Sequence, residues 1–201
     1  MKLNKTNYKA IFIFVILYIT ALISLYIKTG FDTYWHIKVG EWIVNHQKIP
    51  ATGLFSLTKE NDEWIAHSWL SEVIIYLFYK TLGWPGLGLM AITSVTISIF
   101  IMLHYLFSKL SPSIVLILML FSYGMLAPHV MPRPHILALP FMTFWLWQML
   151  KATESSTPPP LWLIVISALW SNLHGSFFQF YWFLYFGYLL HLSSSLWSNL
   201  L

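Results

Sequence analysis

The chain has 201 residues, of which 58% are hydrophobic and only 9% charged, and its mean hydropathy is +0.67. That balance excludes an ordinary soluble domain and points to a polytopic membrane protein, long enough for about six spans of ~20 residues and one real loop. Cysteine is absent, which excludes disulfides and thiolate chemistry, and the net charge of +4 includes no basic run of the kind a nucleic-acid footprint needs.

The expected fold class is therefore an all-α membrane protein. Residues 1–201 would form a single transmembrane module of about six transmembrane helices, with interfacial juxtamembrane helices in a first external loop at 29–85. Lys2, Lys5 and Lys9 precede an uncharged run from Ala10 to Ile27. Lysines before a first span favour a cytoplasmic N-terminus. A cleaved signal peptide is the competing reading, but Ser24-Leu25-Tyr26 makes a poor cleavage site.

The loop that follows would then be external. Between Gly30 and Glu72 it holds six of the chain's seven acidic residues: Asp32, Glu41, Glu60, Asp62, Glu63 and Glu72. Asp32 to Val44 has helical spacing, with Trp35, Val39, Trp42 and Ile43 as an apolar stripe suited to an interfacial helix. Asp32 and His36, four apart, share the opposite face. Ile49-Pro50 to Gly53 reads as a turn. His67 to Thr81 is apolar enough to span, yet spanning would carry Glu72 to mid-bilayer at about 2.5–3.5 kcal/mol. It is expected to lie in the interface as a partly embedded juxtamembrane helix. Leu87–Phe107, Ser113–Ala127, Ile136–Leu150, Leu161–Leu173 and Phe177–Leu192 are the remaining expected spans. Lys109 and Lys151 would then be cytoplasmic, and Arg133, Asn172 and His174 would face the side that carries Asp32.

Asp32, His36, His67, Glu72, Arg133, His135, Asn172 and His174 thus form a candidate constellation on one face. A carboxylate just outside a span can act as a base or hold a divalent cation. Arg133 is the sole arginine, and a guanidinium matches phosphate oxygens with two parallel donors. Flanking prolines set it on a rigid turn. Plainer readings exist for each: Asp32 as a helix cap, Glu60, Asp62 and Glu63 as a solvated turn, His36, His67, His104 and His191 as interfacial histidines, and Arg133 reaching to lipid headgroups. The chain has no HExxH, P-loop or GxSxG motif.

Asp32-Thr-Tyr-Trp-His36, followed by Gly40, Ile49-Pro50, Phe55-Ser56, Trp64, His67 and Trp69-Leu70, resembles the N-terminal signature of a bacterial membrane family. That family belongs to the glycosyltransferase C superfamily, near the protein mannosyltransferases and aminoarabinose transferase-like proteins. Arg133-Pro134-His135 and Trp170-Ser-Asn-Leu-His174-Gly175 look like two further motifs of that family, and the resemblance covers roughly residues 10–185. It implies an inner-membrane enzyme of the cell envelope that uses a polyprenyl-phosphate-linked sugar as donor at the extracytoplasmic face. It also implies Asp32 as the catalytic residue of the first external loop. On this footing Asp32 is base or metal ligand (Mg or Mn), and Arg133 with His135 binds the donor phosphate. His36, His67, Glu72, Asn172 and His174 support the site. Gly53 stands where the family often has an aspartate, and relatives continue through more spans, so a second protein chain completing the site is one expectation. The alternative is a non-catalytic subunit that binds or translocates a lipid-linked substrate. An ion channel or transporter is disfavoured because the spans lack charge.

Overall fold

The computed structural model describes residues 30–55, 62–126 and 129–178. These are mostly helical: α1 (Phe31–His46), α2 (Trp69–Lys109), α3 (Pro112–Leu126), α4 (Pro134–Ser155) and α5 (Leu163–Leu173). No strand is present among them, and an isolated bridge between Thr52 and Glu63 closes the loop after α1. Ala10–Ile27 and nearly all of Phe177–Leu192, two of the expected spans, lie outside the described residues, as do Glu60 and His191.

α2 is two helices joined at a kink. Gly83 has φ 62° and ψ −150°, a backbone conformation essentially reserved for glycine, and Pro85 follows it. The segment before the kink contains most of the stretch expected to lie beside the membrane, and the segment after it is long and strongly apolar. Among the described residues α2 alone is long and apolar enough to cross a membrane; α3 and α5 are apolar but shorter, so six crossings are not what these helices display.

Contacts at both ends fix the course of the bundle. Leu137 near the start of α4 packs against the cluster that includes Leu87 and Met90, while Glu154 near its end pairs with Lys109 at 2.7 Å. α4 therefore runs beside the second part of α2 in the same direction. α3 doubles back, placing Val115 and Met119 against Ala91, Val95, Ile99 and Leu103. α5 also returns, with Leu163 and Trp170 packed on Ala138 and Trp145. Alternating direction brings the start of α4 and the end of α5 to one end of the bundle.

α1 packs along the first part of α2. Its buried face is Thr33, Ile37, Val39, Gly40 and Ile43, which differs from the expected stripe. Trp35 and Trp42 are not on it: Trp35 meets Phe55 and Trp64 edge-on, and Trp42 stacks on His46. The reason is Gly40. A Cβ there would overlap the carbonyl oxygen of Glu72 and lie 2.8 Å from Cβ of Tyr76. The helices meet backbone to backbone at that point, and the face centred on Gly40 is the one that becomes buried.

Gly40→Ala should accordingly lower stability by roughly 1–3 kcal/mol, because the obstructing atoms are main chain and cannot rotate away. Thermal unfolding of the purified protein in detergent measures this. Gly124→Ala is the control, since nothing lies within 4 Å of the added methyl. An unchanged midpoint for Gly40→Ala would remove the close-approach account.

A candidate polar site at one end of the helix bundle

Five chain segments converge at the end where α4 begins and α5 stops. The first turn of α1 supplies Asp32, and the next turn supplies His36. The N-cap of α1 is Gly30, with no side-chain cap bond. Asp32 is therefore not a cap; its Oδ2 forms an ion pair with Nη2 of Arg133 at 2.9 Å. Gly30 makes room for the arginine, since a Cβ there would lie 3.0 Å from the same nitrogen. Arg133 itself is the N-cap residue of α4, with extended backbone before Pro134 at the first helical position, the geometry a pre-proline residue prefers.

Beside this pair lies a second. Nδ1 of His36 is 3.2 Å from Oε1 of Glu72. Glu72 is in the first turn of α2 and is only 3% exposed. Its other oxygen, Oε2, has no partner, and the same is true of Oγ1 of Thr33 and Nε of Arg133. Among the described residues these three are the buried side-chain polar atoms left unbonded, and all of them belong to the segments that frame this site. Buried polar atoms are almost always bonded, so these three mark where the packing leaves bonding capacity unused.

The third group is histidine. His135, in the first turn of α4, and His174, just after α5, have ring centroids 6.1 Å apart. A Cβ on Gly175 would sit 3.6 Å from Cδ2 of His67, which places His67 against the same corner. Backbone contacts fix two tautomers. The N–H of Ser176 donates to Nδ1 of His174 at 3.0 Å, so the neutral ring carries its proton on Nε2. Nε2 of His135 faces the carbonyl of His129 at 3.2 Å and is the donor there. Burial is the main cause holding both imidazoles below their ordinary 6.5. The carbonyl of His129 partly offsets this at His135, where the Arg133 guanidinium and then neighbouring histidines add to the lowering; at His174 neighbouring histidines add to it.

Asn172 serves as a brace. Its Oδ1 accepts from the indole N–H of Trp69 at 2.7 Å, and Ser71 Oγ donates to the carbonyl of Leu173 at 2.7 Å. The start of α2 is thereby tied to the end of α5. Every residue expected at the site lies in this one region. Ser71 as a brace and Gly30 as a spacer are positions that sequence reasoning did not single out, and Gly40 and Trp69 entered it only through the resemblance, without these roles. An isolated glycine on the apolar face of a helix was the available signal for Gly40.

The donor set does not suit a divalent cation. No three histidine, aspartate or glutamate side chains among the described residues are arranged to hold one, and Oδ2 of Asp32 faces a guanidinium. A shallow depression of about 500 Å³ lies at the far end of the bundle, lined by residues such as Gln148, Lys151 and Glu154, and includes no site residue.

The lowered histidines have a sign-definite consequence. Where a base has a lower affinity for protons in the folded state than in the unfolded state, the unfolded chain binds more protons. Stability is thus full above about 6.5 and falls as pH drops below it toward the lowered folded values. Thermal midpoints measured in detergent from pH 8 to pH 5 should decline in that window, and His135→Asn with His174→Asn should flatten the decline. A slope unchanged by the double substitution would show that other groups set it.

No family model matches the chain, and no curated protein or solved structure matches it either.

Proposed function

We propose that this chain is an integral membrane glycosyltransferase of the bacterial inner membrane, with about six spans and a cytoplasmic N-terminus. In this reading it moves a sugar from a polyprenyl-phosphate-linked donor to a hydroxyl acceptor at the extracytoplasmic face. The observation that carries the reading is the Asp32–Arg133 ion pair of 2.9 Å, set at one end of an apolar bundle beside unpartnered buried polar atoms. A lipid-linked sugar phosphate is a substrate with one foot in hydrocarbon and one in water, and this end of the bundle offers both surroundings. The resemblance of the segments around Asp32, Arg133 and His174 to the glycosyltransferase C superfamily supports the same assignment.

The chemistry sets what the residues must do. When the bond from the anomeric carbon to the phosphate oxygen breaks, the electron pair leaves with the polyprenyl phosphate, whose charge grows from about −1 to −2. Fixed positive charge at that phosphate stabilises the transition state more than the ground state. Arg133 is placed to supply it, with Nε still unengaged and Asp32 holding the head group in position. Asn172 and Trp69 keep the end of α5, next to His174, against α2. Burial keeps His135 and His174 uncharged near neutral pH, so they hydrogen-bond sugar or phosphate without adding cations.

Undecaprenyl phosphate, the product common to all such donors, tests the clamp without knowledge of the sugar. Full-length protein in nanodiscs should bind it saturably, and Arg133→Lys should weaken binding about tenfold or more, because lysine keeps the charge and loses the planar fork. Asp32→Asn should weaken it less, since the guanidinium remains while its orienting partner is neutral. Equal binding by wild type and Arg133→Lys would point to lipid-headgroup contact instead. Saturable binding without sugar transfer from any such donor would favour the non-catalytic subunit.

A further inference from the structure

His36 and the buried Glu72 form a dyad whose arrangement has a chemical meaning of its own. Glu72 is nearly inaccessible, and a buried carboxylate is costly unless paired. Among the described residues its one side-chain partner is the imidazole of His36, with Nδ1 at 3.2 Å. With Glu72 as the carboxylate, which accepts and cannot donate, Nδ1 of His36 carries the proton and Nε2 carries the lone pair. Among the described residues that nitrogen has no hydrogen-bond partner, and it is not one of the buried unbonded atoms. His36 is partly exposed, with 19% of its side chain accessible against 4% for Glu72. The dyad therefore presents an unoccupied basic nitrogen to the site and keeps its orienting carboxylate dry.

Asp32, the other candidate proton acceptor, is committed differently. Its Oδ2 is engaged by the sole arginine, and it lies one helical turn from His36 on the same face of α1. The two residues thus divide the work: one is turned to a cation, the other has a free lone pair.

We infer that His36 is the proton acceptor for the acceptor hydroxyl, with Glu72 as its positioning residue, while Asp32 serves Arg133. The inference rests on the glycosyltransferase reading. As the acceptor oxygen bonds to the anomeric carbon, its proton passes to Nε2 of His36. The bond from that carbon to the phosphate oxygen breaks with its electron pair on the polyprenyl phosphate, at Arg133. His36 then returns the proton to water or to the departing phosphate. Buried Glu72 compensates the imidazolium for the interval in which it exists, as the buried aspartate does in a serine-protease triad. The other groups facing this space are His67, His135 and His174, together with the Asp32–Arg133 pair.

The experiment has two arms on the full chain. In the first, ¹⁵N-histidine spectra in detergent micelles read the tautomer of His36 at neutral pH, assigned by its loss in His36→Ala. The expected form has the proton on Nδ1, and Glu72→Gln should shift the population toward Nε2–H. A wild-type ring protonated on Nε2 alone overturns the dyad whatever the enzyme assay gives. In the second, release of free sugar from polyprenyl-phosphate mannose or polyprenyl-phosphate glucose is followed with water as acceptor. His36→Ala should lose roughly 10²–10⁴-fold in kcat, the range for a general base, and added imidazole should restore part of it. Glu72→Gln should lower kcat with donor KM little changed. A folded His36→Ala that retains full rate, or whose loss imidazole does not relieve, overturns the assignment. Absence of turnover by wild type, with the Nδ1–H tautomer in place, would instead count against the transferase reading itself.

Discussion

The approach of α1 to α2 at Gly40 and Glu72 is the contact on which the site depends. One helix lays its backbone against the other because a single position has no side chain. From that point the geometry follows by helical spacing. One turn before Gly40, His36 comes level with the Glu72 side chain. Two turns before it, Asp32 overhangs the corner where α4 begins, within reach of Arg133. A wider separation would withdraw both partners together, because they ride on the same rigid helix.

Charge is scarce in this chain, and the few carboxylates are used in contrasting ways. Glu41 pairs with Lys38 and Glu154 with Lys109 at 2.7 Å each, both in exposed positions. Pairs of that kind add little to stability, because water already solvates both ions. Glu72 is the reverse case. It is buried with half of its bonding capacity unused, an arrangement that costs stability. A chain with so few acids to place has put one where folding does not favour it, and such positions are where function is concentrated.

Much of this was legible before any coordinates. Charge concentration singled out the first loop, and the cost of a mid-bilayer carboxylate argued that His67–Thr81 stands apart from the apolar segment after it. The kink at Gly83 separates the two in the structure. Asp32, His36, Glu72, Arg133, His135, Asn172 and His174 were chosen because they share a face, and they do occupy one corner. What was not legible was pairing. Spacing put Asp32 and His36 on one helix face but could not say that one would turn to Arg133 and the other to Glu72, since those partners come from distant segments. The apolar stripe of α1 was misjudged for a related reason. Trp35 and Trp42 carry more hydrophobic surface than Gly40, so amphipathic reasoning weighted them, whereas the packing was decided by the residue with least bulk. Six crossings are not shown by the described helices, because α3 and α5 are apolar without being long and two expected spans lie outside the described residues.

Gly83 also bears on how the chain is made. During synthesis the stretch from Trp69 to Lys109 emerges as one nearly unbroken apolar ribbon, longer than the ~20 residues a bilayer accommodates. An insertion machinery reading hydropathy alone has two frames in which to place it. The earlier frame takes Glu72 into the lipid, and the later one leaves it outside. A backbone break that only glycine adopts, followed at once by Trp84 and Pro85, marks the boundary between the frames. One glycine thus acts as a punctuation mark, dividing the turns that carry Glu72 from an apolar segment long enough to cross a bilayer.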